Sequence, residues 1–215
     1  MIPTAARAEH LRGPGGPQGT RVHDQTDQVL LRAMRRGDEA AARALLSRIG
    51  PGLTVFARGL LRDEALAEDA LQNAMCKVMR CSTREIEAVE SPRAWLAKIV
   101  RREALTMIRA NRRAHERNIR RATSAAAASL RDPHPADAFD DGNLSAAVAL
   151  LPRRLGEIII LKHVAALTFD QIAIALNLNR NTAASRYRDA VAMLKKHLTS
   201  TQTRGGGREE NANVR

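Results

Sequence analysis

Over two stretches of this chain, residues 24–115 and 144–198, apolar residues recur at steps of three and four positions. That is the period of an amphipathic helix, with one face toward a core and one toward water. The first stretch predicts four helices. Asp27–Arg36 is short and is closed by Gly37. Asp38 caps the next, which turns Ala41, Leu45, Leu46 and Ile49 inward. Pro51 and Gly52 are expected to break or kink it, with Leu53 to Leu61 resuming it. Asp63 caps a third helix, Glu64 to about Arg80, with Leu66, Ala70, Ala74, Met75 and Val78 on its apolar face. A polar loop follows, from about Cys81 to Glu90. Ser91 and Pro92 suit the cap and first position of the fourth helix. Its inner stripe is Trp95, Leu96, Ile99, Val100, Leu105 and Ile108, and its other face carries Lys98, Arg101, Arg102, Arg109, Arg112 and Arg113.

In the second stretch, Ala146 to Leu151 predicts a short apolar helix. Pro152 opens another, with Leu155, Ile158, Ile159 and Leu161 buried. The segment Leu167 to Leu198 then reads as a helix, a three-residue turn and a longer basic helix, the geometry that sets a recognition helix in the DNA major groove. Thr168 and Gln171 have the spacing of a capping box. Ala173 is small where two helices must cross. Asn177 suits a left-handed helix end, Leu178 plugs the core, and Asn179 caps the second helix. On that helix Ala183, Tyr187, Ala190, Val191 and Leu194 face inward. Arg180, Asn181, Thr182, Ser185, Arg186 and Arg188 remain outside near its N-terminus. Arg and Asn are the side chains that pair with base edges, and Ser, Thr and a helix N-terminus hold phosphates. Lys195 and Lys196 suit phosphates or the helix dipole.

The remaining segments lack this period. Residues 1–23, with Gly13, Pro14, Gly15, Gly16 and Pro17, are expected to be a disordered leader, and 199–215 a disordered tail. Residues 116–143, with Pro133, Pro135, Asp137, Asp140 and Asp141, are expected to be a flexible acidic linker. The fold class is therefore all-α: two small helical domains joined by a linker, the second a helix-turn-helix.

Composition agrees with that class. Apolar residues are 44% of the 215 but aromatics only 2%, which favours helix over sheet. The formal net charge of +12 calls for a polyanionic partner. No apolar run is long enough to span a bilayer, so no membrane insertion is expected and the cytoplasm is the expected compartment. Cys76 and Cys81 sit about 140° apart on a helix and lack companions at metal-ligand spacing, so they read as reduced thiols. No cofactor and no metal is expected.

Leu151-Pro152, Leu155, Ile158, Leu161, Thr168, Gln171-Ile172-Ala173, Leu176, Asn181-Thr182 and Ser185-Arg186 together resemble the promoter-binding C-terminal domain of bacterial sigma factors. Gly37-Asp38, the run Ala67 to Asn73, and Ala94-Trp95-Leu96 with Ile99 resemble the N-terminal domain of the extracytoplasmic-function group. The resemblance implies a protein that binds the RNA polymerase core and directs it to promoter DNA in transcription initiation. Asp69, Gln72 and Asn73 would meet the polymerase clamp. The loop around residues 81–91 and the helix from Pro92, with Lys98, Arg101, Arg102, Arg109, Arg112 and Arg113, would hold the melted non-template strand of the minus-ten element. Arg180, Asn181, Thr182, Ser185, Arg186 and Arg188 would read the minus-thirty-five element. The acidic linker would thread toward the RNA exit channel. An anti-sigma factor is a further partner that the resemblance admits. The chemistry would belong to the polymerase, so the chain itself is not expected to be an enzyme.

On the residues alone, Asp69 and Gln72 read equally as a solvated helix face, and Trp95 reads as core. The sequence also departs from the group, which commonly has Asn at Arg102, Asp at Thr106, and basic residues at Ala184 and Asp189. The last two changes leave the recognition helix less basic, so the target sequence does not carry over. A self-contained helix-turn-helix regulator fits the second domain equally but leaves the first unexplained. A nucleic-acid enzyme fits less well, because the sequence shows no phosphate-cradling glycine loop, metal-ligand cluster or nucleophile–base arrangement.

Overall fold

The computed structural model describes residues 17–122, 148 and 150–205. All the regular structure there is helical: α1 Pro17–Arg35, α2 Glu39–Leu61, α3 Glu64–Arg80, α4 Thr83–Glu87, α5 Pro92–Ala122, α6 Arg153–His163, α7 Phe169–Leu176 and α8 Arg180–Gly205.

The ends form where local chemistry stops or starts a helix. Gly37, at φ +92°, closes α1 and lets the Asp38 amide donate back to the Ala33 carbonyl at 3.1 Å. Asp38 and Asp63 then accept from the Ala41 and Leu66 amides, each at 2.9 Å. Such caps contribute roughly 1 kcal/mol each.

Several boundaries differ from the sequence expectation. Helix α1 begins at Pro17, so residues 17–23 of the expected leader are helical. Helix α5 runs on through 116–122 of the expected linker, and α8 through 199–205 of the expected tail. Residues 1–16, the rest of the linker from 123 to 143, and 206–215 lie outside the described residues, as do 144–147 and 149, and with them half of the helix expected over Ala146 to Leu151. The supposed polar loop 81–90 holds a turn of helix, α4, because Ser82 and Glu85 form a capping box and Ile86 is an apolar anchor. Helix α2 passes through Pro51 without ending, and the Thr54 hydroxyl bonds the Gly50 carbonyl at 3.1 Å.

The N-terminal helices pack on Phe56, Leu31, Leu45, Leu96 and Val100, all fully buried or nearly so. Trp95 is half-buried against this core, as its place on the apolar stripe requires. Asp27 is completely buried, with Arg48 Nε at 2.8 Å and Arg93 Nε at 2.6 Å. This triad ties α1, α2 and α5 together. Removing one partner of such a buried group typically costs about 3–5 kcal/mol, because the remaining charge is stranded.

The C-terminal helices α6 to α8 do not stand apart. Ile158, Ile160, Leu161, Leu167, Ile172 and Leu176 join the same apolar core as the first domain. A second, smaller cluster of Leu151, Leu155, Ile159, Ala190 and Leu194 binds α6 to α8. Gly52 matters here. A Cβ on it would stand 2.9 Å from the Ala165 backbone, so only glycine lets the α6–α7 turn approach α2 so closely.

Candidate nucleic-acid interface

Helices α7 and α8 form the expected helix-turn-helix. Thr168 Oγ1 accepts from the Gln171 amide at 3.3 Å, and Gln171 Oε1 accepts from the Thr168 amide at 2.8 Å. Asn177 takes φ 55°, ψ 54°, and the Leu178 amide then reaches the Ala173 carbonyl at 2.8 Å. Asn179 Oδ1 accepts from the Thr182 amide at 2.6 Å and starts α8. Ala183, Ala190 and Leu194 are buried, while Tyr187 and Val191 are half-buried.

These contacts leave one end of α8 open to solvent. Arg180, Asn181 and Arg188 are exposed, and Thr182, Ser185 and Arg186 are half-buried beside them. Arg180 pairs with Asp170 at 3.2 Å, both well exposed, a contact weak enough for a phosphate to displace. Behind this face, Tyr187 meets the edge of Phe169 at 5.4 Å and its hydroxyl lies 3.0 Å from His163 Nε2. Lys162 sits 5.0 Å over the Phe169 ring. The Phe169–Tyr187 pair thus packs behind α8, and neither of these half-buried rings is an open stacking platform.

On α5, Lys98, Arg102, Arg109, Arg112 and Arg113 are exposed, as the basic face requires. Arg112 pairs with Glu116 one turn on at 2.9 Å, a solvated contact. Arg101 departs from the expected open face. Its Nε lies 2.9 Å from Glu157 Oε2 across the domain boundary, and Glu157, only 5% exposed, also meets Arg153 at 3.3 Å. A second polar contact crosses the boundary nearby: Gln171 Nε2 donates to Ser91 Oγ at 3.0 Å. The residue that completes the capping box of α7 therefore also touches the start of α5.

The segment between α3 and α5 shows Ser82, Thr83, Arg84, Glu87, Ala88 and Glu90 to solvent and buries Ile86 and Val89. Burial, and then the nearby Glu85 carboxylate, push the Cys81 thiol up despite the Arg35 guanidinium. Cys81 is thus a protonated thiol at neutral pH. On α3, Asp69, Gln72 and Asn73 are all exposed and fall on one face.

Sequence reasoning missed Glu157, Gln171 as a donor to Ser91, and Gly52 as a contact point. Glu157 carried one signal, an acid inside an otherwise apolar stretch. The other two depend on which surfaces meet in space. Among the described residues no group of three or more His, Cys, Asp or Glu is placed to hold a metal ion, and no helix is long and apolar enough to cross a membrane.

Residues 45–114 match the family Sigma-70 region 2, and residues 141–194 match Sigma-70, region 4. The chain is 29% identical over 176 residues, 79% of its length and 89% of the relative's, to the ECF RNA polymerase sigma factor SigK of Mycobacterium sp. (strain JLS). Its fold resembles that of the sigma factor RpoE in complex with the anti-sigma factor NepR from Bartonella quintana, with a TM-score of 0.55 and 24% identity over 73% of this chain and 96% of that one. It also resembles CnrH in complex with the cytosolic domain of CnrY, with a TM-score of 0.56 and 20% identity over 81% of this chain and 98% of that one.

Proposed function

This chain belongs to the extracytoplasmic-function sigma factors, and from that membership we propose how its domains divide the work. The chain directs promoter recognition with RNA polymerase and is a non-enzymatic initiation factor. In our reading, α8 enters the major groove of the minus-thirty-five element. There Arg180, Asn181, Thr182, Ser185, Arg186 and Arg188 meet bases and phosphates. The basic face of α5, with Lys98, Arg102, Arg109, Arg112 and Arg113, follows the phosphates of the minus-ten region, and the 81–91 segment grips the melted strand. Arg101 joins that face once it leaves Glu157. Asp69, Gln72 and Asn73 on α3 dock on the polymerase. The cytoplasm, where promoter DNA is transcribed, is the compartment this implies.

The observation that carries this reading is the order of the two sigma-70 regions, the second built as a capped helix-turn-helix with its donors outward. Its test uses the purified protein, sigma-free polymerase core and fragmented genomic DNA. We expect a stable complex with core and transcription from a limited set of start sites. Failure to bind core would sink the reading.

The closed arrangement bears on how the protein acts. By their names the two promoter elements lie about 25 base pairs apart, roughly 85 Å along a duplex at about 3.4 Å per pair. The longest helix, α5 with 31 residues, reaches only about 46 Å at about 1.5 Å per residue. The domains must therefore part before both elements are held, breaking the Arg101–Glu157 and Gln171–Ser91 contacts. A partner that favours the closed form would silence the factor. We extend such an anti-sigma partner to this chain because both solved relatives are complexes, one with an anti-sigma factor and one with a cytosolic domain.

A further inference from the structure

The segment from Cys81 to Arg93 is held from behind by α1. Its helix α4 has five residues, too few to be stable alone. Its own chemistry supplies the Ser82–Glu85 box and two apolar anchors, Ile86 and Val89. The other tethers reach it from distant sequence. Arg35 Nε donates to the Cys81 carbonyl at 2.7 Å, Gln28 Nε2 to the Ile86 carbonyl at 2.9 Å, and Arg93 Nε to buried Asp27 at 2.6 Å. Gln28 and Arg35 are seven residues apart, two turns on one face of α1, with buried Leu31 between them. They meet the segment in reverse order, 35 with 81 and 28 with 86, so α1 runs antiparallel along it and touches its start, middle and far end.

Two of these three tethers end on main-chain carbonyls. They fix the path of the backbone whatever side chains the segment carries, and they leave Thr83, Arg84, Glu87 and Glu90 facing solvent. A loop that must order itself on binding gives up conformational entropy at that moment, and a prepositioned one does not. With aromatics at 2% of the chain, stacking offers little to offset such a loss.

We infer that Gln28 and Arg35 are positioning residues for capture of the melted strand: from α1 they hold the 81–91 backbone in the shape that receives single-stranded DNA. The inference rests on the reading that this segment grips the strand. Asp27 is the structural anchor of the same row and is a poor probe, since breaking its triad threatens the fold.

The test uses full-length Gln28→Met and Arg35→Met, which keep the stem and remove the donor, and Arg35→Lys, which keeps a donor. Each is assembled with polymerase core and offered a labelled single-stranded non-template oligonucleotide spanning the minus-ten element of a promoter found in the transcription assay. Core affinity and binding to upstream duplex serve as controls, and hydrogen exchange reports on the segment. We expect both Met variants to bind core and duplex normally, to exchange faster across 81–91, and to lose about tenfold in oligonucleotide affinity, the size of one ordinary hydrogen-bond contribution. Arg35→Lys should recover most of that loss. Unchanged oligonucleotide binding by both Met variants overturns the inference. Thr83→Ala with Arg84→Ala tells the two failures apart. If that double variant loses capture and the Met variants do not, positioning by α1 alone is wrong. If it too captures normally, the strand-gripping reading falls and takes the inference with it.

Discussion

At the scale of single residues, chemistry and placement set different roles for side chains of one type. Arg186 and Arg188 lie on the outward side of α8, and each is expected to neutralise phosphate rather than read a base. Arg186→Ala and Arg188→Ala should each weaken duplex promoter binding about equally across sequences and lower its salt slope by about one, with core binding unchanged. A titration at several salt concentrations checks this, and a loss of core binding would contradict it. Glu85 gives a pH prediction. Hydrogen bonds from the Ser82 amide and then its hydroxyl hold the Glu85 carboxyl below the ordinary carboxylate range. The charged form is the bonded one. The cap is therefore fully present above about pH 4.3, the ordinary glutamate value, and is lost as pH falls through the lowered folded value. The Ser82 and Glu85 amide resonances should stay constant from pH 7 to about 5 and move together only in stronger acid; a transition near neutrality would refute the assignment.

At the scale of elements, boundaries follow local rules wherever a cap or a forced dihedral decides them. Asp38, Asp63, Thr168, Asn177 and Asn179 do what their types and positions require. Asn177→Ala should destabilise the helix-turn-helix by about 1–2 kcal/mol, because alanine pays the full strain of a left-handed backbone. Asn177→Gly should be at least as stable as the natural residue, and denaturant unfolding of the pair gives the sign. The errors at this scale have equally local causes. Helix α5 extends past its apolar stripe through Glu116, Arg117, Arg120 and Arg121, polar residues with good helix propensity, where the hydrophobic period is silent. Helices α1 and α8 extend through Gly19, Thr20, Thr199, Ser200 and Thr201, where neither period nor propensity signals a helix. Helix α4 was hidden because one turn is too short to show a period.

At the scale of the whole molecule, the two domains share a core, and at Gly52 the backbone of the α6–α7 turn comes close to α2. The Pro51-Gly52 pair reads in sequence as a helix break, yet α2 continues and uses the missing side chain as a seat for the α6–α7 turn. Gly52→Ala therefore has opposite effects at two levels. It favours α2 by up to about 1 kcal/mol through helix propensity, and it wedges the domains apart at the Ala165 backbone. Glu157→Gln should loosen the same boundary by releasing Arg101. Distance measurements between labels on the two domains of the free protein should show both variants more open, with the helical content intact. A Gly52→Ala protein that stays closed would show that the turn can yield.

The sequence by itself determined every helix but α4, most of the caps, the helix-turn-helix and the family. Each of these depends on interactions within about ten residues or on motifs that survive as residue identity. It also determined which side chains are basic and where along each helix they point. Only the tertiary structure decided which of them are available. Glu157 takes Arg101 from the basic face, Gln171 reaches Ser91 eighty positions away, and α1 lies along the 81–91 segment. Those pairings join surfaces that are distant in sequence, so no local period or motif encodes them, and they appear only once packing has brought the helices together.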